Sequence, residues 1–153
     1  MEQDRTQVIN TRLGQREVEP DKIIRFPRGI IGFDEEREFT LLQIKEESPF
    51  LILQSMTNPN LGLLVADPFS FMETYEVRLG TAEKSILGIE DPSQVALLVT
   101  VTIPAGEPEK TTLNLMGPIV VNTAAKVGLQ VPQVDTEYPA RFQPYAQGSP
   151  SGA

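Results

Sequence analysis

Apolar residues fall in short runs rich in β-branched side chains, at residues 22–26, 39–44, 50–54, 61–66, 95–103 and 119–121. Turn-forming pairs stand between and around them, among them Asn58-Pro59, Asp67-Pro68, Asp91-Pro92, Gly117-Pro118 and Tyr138-Pro139. Short runs at regular spacing, each bounded by turn residues, predict an all-β domain: an antiparallel β-barrel-like fold or a highly twisted sandwich. Residues 95–103 (VALLVTVTI) begin as a continuous apolar stretch and end in alternation of Val99, Val101 and Ile103 with Thr100 and Thr102. This pattern predicts a central strand buried on both faces at one end. Residues 113–122 (LNLMGPIVVN) read as a buried strand pair or a barrel seam, with Asn114 and Asn122 satisfying backbone groups near the turns.

One or two short helices interrupt the pattern. Residues 81–88 carry Thr81 as an N-cap, Glu83 in the first turn and Gly88 as a stop, which predicts about two turns. Pro68 after Asp67 predicts a second, shorter turn. No internal repeat and no βαβ spacing is present. With 153 residues the chain suits one domain, which we place at residues 1–145. Residues 146–153 (AQGSPSGA) form a flexible tail in this reading, and residues 1–5 are loose as well.

Composition narrows the chemistry. No apolar run approaches the roughly 20 residues that span a bilayer. The first ten residues, MEQDRTQVIN, lack the basic and apolar regions of a secretory signal, so a cytoplasmic location is expected. The chain contains no Cys and no His, which removes imidazole bases, thiolate or Ser/His nucleophile arrangements, and soft-ligand metal sites. Neither a G-x-x-x-x-G-K-[ST] nor a G-x-G-x-x-G run occurs. A binding protein without cofactor or metal is therefore expected rather than an enzyme.

Charge is unevenly placed. Residues 29–91 hold four basic and twelve acidic side chains and so account for the whole net charge of −8. Such a surface repels phosphate, so no direct nucleic-acid partner is expected and a basic partner suits it better. The densest acidic cluster is Asp34, Glu35, Glu36 and Glu38. It reads as a solvated turn or as an acid/base or hard-cation site, although its spacing is not that of a Ca²⁺ loop. Residues 68–72 place Phe69, Phe71 and Met72 beside prolines, a combination that lines a groove for an amphipathic helix or closes a core under a loop.

Several stretches, taken in order, resemble the flagellar assembly factor FliW family. They are IIRFPRGIIGF at 23–33, SPF at 48–50, LQS at 53–55, NPNL at 58–61, DPF at 67–69, LGI at 87–89, VTIP at 101–104, and TLNL at 112–115 running into GPIVVN at 117–122. Tyr75, Gln130-Val131 and Tyr138 complete the series, which covers about residues 6–145. Gly117 stands where the family pattern usually has Ala, Arg16 where it is apolar, and Phe142-Gln143 replaces an ending that is commonly Arg-His-Pro. The resemblance implies a non-enzymatic cytoplasmic barrel, monomeric when free, with two alternative partners. One is flagellin, bound near its C-terminal helical end; the other is the RNA-binding translational regulator CsrA, whose repression of flagellin synthesis the free protein relieves. Phe69, Phe71 and Met72 are the candidates for the first partner, and Asp34, Glu35, Glu36 and Glu38 for the second. Two other classes stay open: a small-molecule-binding barrel, marked by a cavity lined by residues 95–103 and 119–121, and a carboxylate-dependent enzyme built on the acidic cluster.

Overall fold

Strand pairing closes a ring. The computed structural model describes residues 6–134 and 136–145, so the tail and the loose N-terminal five residues expected from the sequence both lie outside the described residues. Among the described residues there are ten strands: β1 (Gln7–Thr11), β2 (Gly14–Val18), β3 (Ile23–Arg25), β4 (Glu38–Gln43), β5 (Phe50–Ser55), β6 (Gly62–Ala66), β7 (Val95–Thr102), β8 (Thr112–Leu113), β9 (Ile119–Asn122) and β10 (Val127–Gln130). Seven of them pair in the order β6-β5-β4-β3-β10-β9-β7, and β7 returns to β6. The fold is a seven-stranded closed barrel. Every pairing in it is antiparallel except β3 with β10. β8 extends from β7 and is itself paired through Leu113 with Phe142, while β1 and β2 form a separate hairpin.

Alternation along each strand sorts side chains to the two sides of the wall. Ile24, Phe26, Phe39, Leu53, Val65, Leu98, Ile119 and Val121 belong to one buried cluster, the barrel interior. The alternate residues Ala66, Val99, Val101 and Leu113 face a second cluster outside the wall, covered by Phe71, Met72, Tyr75 and Tyr138. A third, of Val120, Val127, Leu129 and Val131, is covered by the helix α1 (Thr81–Leu87) through Leu87. β7 is thus buried on both faces. The doubly buried part is Leu98–Val99 in mid-strand rather than at the strand's start, where Val95, Ala96 and Leu97 are only half-buried, Ala96 lining an open barrel mouth and Val95 and Leu97 lying against the third cluster.

The remaining expectations differ in detail. α1 starts at Thr81 itself, with Gly80 in the cap position, where its carbonyl accepts from the Lys84 N–H at 3.0 Å and no side chain caps. Gly88 ends it at φ +66° as expected. A 3₁₀ turn forms at Pro68–Ser70, and the Asp67 carboxylate accepts from the Phe69 N–H at 2.9 Å. Asn122 does more than serve its own turn: its Nδ2 donates to the carbonyl of Leu87 at 2.8 Å, and its Oδ1 accepts from Ala124 and Ala125. It fastens the helix to the β9–β10 turn.

Phe26 fills the barrel. It is fully buried and meets Phe39 edge-on, with ring centroids 5.3 Å apart. A Cβ at Gly128 would lie 2.5 Å from the Phe26 ring, so β10 passes over the ring only because residue 128 has no side chain. Gly128→Ala is expected to destabilise by about 1–3 kcal/mol through overpacking, and Phe26→Ala by about 3–5 kcal/mol through a cavity. Urea unfolding of both, and of Gly128→Ala combined with Phe26→Leu, checks this: the double variant recovers stability relative to Gly128→Ala if the clash is the cause.

Candidate partner-binding surfaces

The loop between β3 and β4 carries the acidic cluster and is braced from within. Gly29 and Gly32 adopt φ of +66° and +91°, and Ile30 and Phe33 exchange backbone hydrogen bonds across a tight turn. A Cβ at Gly29 would lie 2.5 Å from the Asp34 carbonyl oxygen, which closes that position to any side chain. Arg37 donates from Nε to the Asp34 carbonyl and from Nη1 to the Pro27 carbonyl, at 2.8 and 2.7 Å. The four acids then part in role. Asp34, Glu35 and Glu38 are exposed. Glu36 is half-buried and its Oε1 accepts from Ser55 Oγ at 2.6 Å and Thr57 Oγ1 at 3.0 Å, so it holds the β5–β6 turn. Among the described residues no group of three acids converges on one point in the manner of a cation site.

That same turn depends on a residue the strand pattern conceals. Gln54 is fully buried; its Nε2 lies within 3.3 Å of the carbonyls of Ser55, Asn58 and Pro59, and its Oε1 accepts from the Arg12 N–H. The available signal was a polar side chain ending an otherwise apolar run, directly before a turn.

The aromatic turn after β6 divides as well. Phe71 stacks on Phe50, with centroids 5.9 Å apart, and meets Tyr145 edge-on at 6.0 Å; with Met72 it closes the second cluster. Phe69 is 49% exposed and covers no core. The core-closing reading thus holds for Phe71 and Met72, while Phe69 is left in water. Beneath it, Tyr75 is buried, donates its hydroxyl to the Leu115 carbonyl and lies edge-on to Tyr138 at 4.8 Å. Burial, with a smaller contribution from Tyr138, pushes its pKa up to about 12.

The acidic loop and the aromatic turn are not brought together. Glu36 is tied to Ser55 and Thr57 where β6 is about to begin, whereas Asp67 follows its last residue, Ala66. They are separated by one five-residue strand, about 17 Å. A cleft of about 600 Å³ also opens at the barrel mouth where β7 begins and β9 ends, with Ala96, Leu98 and Val121 in its wall and Lys22 and Lys126 at its rim.

Comparison with known proteins is consistent over nearly the whole chain. A family model described as "FliW protein" matches residues 7–144. The flagellar assembly factor FliW of Desulfovibrio desulfuricans is 61% identical over 127 residues, covering 82% of this chain and 76% of that protein. Its namesake from Nitratidesulfovibrio vulgaris strain DP4 is 56% identical over 134 residues (88% and 78%), and that of Bacillus pumilus 39% over 132 residues (86% and 91%). A crystal structure of the flagellar assembly factor FliW superimposes with a TM-score of 0.87 at 38% identity, covering 93% of this chain and 99% of that one.

The buried Tyr75 hydroxyl makes stability fall in alkali. Its neutral form is favoured in the folded state, so its contribution is complete below pH 10, the ordinary tyrosine value, and is lost as pH rises through about 12. Urea unfolding of wild type and Tyr75→Phe between these pH values is expected to show a steeper decline in the wild type.

Proposed function

The chain belongs to the FliW family, and from that premise we propose that it is a cytoplasmic flagellar assembly factor that works by exchanging protein partners. Members of the family are assembly factors rather than enzymes. In this reading flagellin, through its C-terminal helical end, docks on the aromatic turn with Phe69 as the exposed anchor and Phe71 and Met72 as the packed floor. Free of flagellin, the protein captures CsrA at the acidic loop and lifts its repression of flagellin synthesis. The observation that carries this is the spacing of the two surfaces. A standard interface takes about 800 Å² per partner, a patch roughly 16 Å in radius, so two centres about one strand apart on so small a barrel serve partners that crowd each other out. Linkage then makes the antagonism reciprocal.

Charge contributes at the second surface in a limited way. At physiological ionic strength the screening length is about 8 Å, so Asp34, Glu35 and Glu38 oppose RNA only close to the docked CsrA.

Titration of flagellin into Phe69→Ala, with Phe71→Ala alongside and folding checked for each, is expected to show a loss of about thirtyfold or more. Full affinity in both folded variants would place the site elsewhere. Neutralising Asp34, Glu35 and Glu38, with Glu36 kept because it holds Ser55 and Thr57, is expected to leave CsrA capture partly intact while weakening RNA displacement. The readout is the ratio of RNA affinities with and without this protein at each salt concentration, since salt weakens RNA binding by itself. A ratio indifferent to salt and mutation assigns displacement to overlap or to a shape change in CsrA.

One observation favours a second reading, a small-molecule site: the cleft of about 600 Å³ has Ala96, Leu98 and Val121 in its wall, and its volume lies within the range of ligand pockets. Titration with 8-anilinonaphthalene-1-sulfonate tests it. Saturable fluorescence in native protein that Ala96→Phe abolishes supports a ligand site, and no enhancement leaves an open barrel mouth.

A further inference from the structure

The segment from Pro27 to Phe33 has no part in the surfaces above beyond carrying the acidic loop, yet it holds apolar side chains in water. Ile31 is 62% exposed and Phe33 40%, and Met116, from the β8–β9 connection, is 39% exposed. All three line one cleft of about 540 Å³ at the barrel end where β6 and β9 begin. Single exposed apolar residues are ordinary, but three around one cleft are not.

The backbone beneath them is held in place. The Ile31 N–H donates to Gln130 Oε1 at 3.0 Å, and Gln130 Nε2 donates to the Gly117 carbonyl at 3.0 Å, so one amide side chain ties two walls of the cleft together. On the far side Asn114 Oδ1 accepts from the Met116 N–H at 2.9 Å. The two positive-φ glycines and the paired Ile30 and Phe33 set the loop between these ties. An apolar surface fixed before binding loses little entropy on docking, the condition under which a few side chains supply most of an affinity.

The cleft's lining is uncharged, and the charge that selects an occupant lies in the loop that supplies Ile31 and Phe33: residues 27–38 hold four acidic and two basic side chains. Asp34 and Glu35, both exposed, follow directly after Phe33. A second copy of this chain in a two-fold contact would set these carboxylates against their own equivalents, so self-association is disfavoured. We propose that this cleft anchors a basic protein partner, taking an apolar side chain that the partner presents between Lys or Arg residues. Resting on the partner-exchange reading above, the inference makes Ile31, Phe33 and Met116 the contact that holds CsrA, while Asp34 and Glu35 speed and orient its approach.

The test is calorimetric titration of CsrA into wild type, Ile31→Ser, Phe33→Ala and Met116→Ser at low and high salt, with flagellin titrated into each as a reference. The expected result is a loss of at least tenfold in CsrA affinity for Ile31→Ser that persists at high salt, with flagellin affinity and the urea midpoint unchanged. Phe33→Ala also touches the turn backbone, so Ile31→Ser and Met116→Ser decide if it unfolds. Unchanged CsrA affinity in those folded variants overturns the cleft assignment and leaves partner exchange standing. No binding of CsrA by the wild type overturns partner exchange and the assignment with it. Sedimentation showing a wild-type dimer that Ile31→Ser dissociates gives the cleft to a second copy and also overturns the proposal.

Discussion

Seven strands cannot close into a ring with every neighbour antiparallel: an odd number forces at least one parallel pair. Here that pair is β3 with β10, joined at Arg25 and Val127, with the Arg25 N–H donating to the Lys126 carbonyl at 3.0 Å. The seam is short because parity asks only for the pair and not for length. Its tightness comes from Phe26, the next residue of the chain, whose ring lies under Gly128 and occupies the volume that side chains from two strands would otherwise contest. The loop that follows leaves directly from this packed point. Its acidic and apolar residues are therefore displayed from beside a closely packed point of the barrel.

Away from the seam, four amides hold the connections. Gln54 gathers the β5–β6 turn, Gln130 joins the β3–β4 loop to the β8–β9 connection, Asn122 fastens α1, and Gln133 grips both backbone groups of Arg78 while donating to the Val131 carbonyl. An amide both donates and accepts, so one side chain serves two chain segments at once. Among the described residues no buried side-chain nitrogen or oxygen lacks a partner. Long connections on a small barrel thus acquire fixed shapes without disulfides.

Much of the wall was legible from the sequence because its strands bury one face or both. The runs at 50–54 and 61–66 became β5 and β6 within one residue at each end. The hairpin β1–β2 escaped notice because most of its residues are exposed and hydropathy carries no period there. β10 was missed for the opposite reason: its Gly128, which reads locally as a strand breaker, is required by a ring about a hundred residues earlier in the chain. The candidate surfaces were found as clusters but not as roles. Nothing in the spelling of Asp34, Glu35, Glu36 and Glu38 separates the one carboxylate that serves the turn from the three that face water, since that depends on Ser55 and Thr57 arriving opposite Glu36. In the same way Phe69 and Phe71 look alike until Phe50 and Tyr145 cover one of them.

The hydrogen bond from Ile31 to Gln130 spans 99 residues of chain. Contacts of such separation form late, because a long loop must be closed before any of them gains. The barrel cannot close until β10, which ends at Gln130, has been made, and before then the β3–β4 loop lacks this tie. A chain that stops short of β10 therefore cannot display that loop on a closed barrel. In the partner-exchange reading, the quantity compared with flagellin is the number of finished molecules, which makes the protein a counter whose units are whole chains.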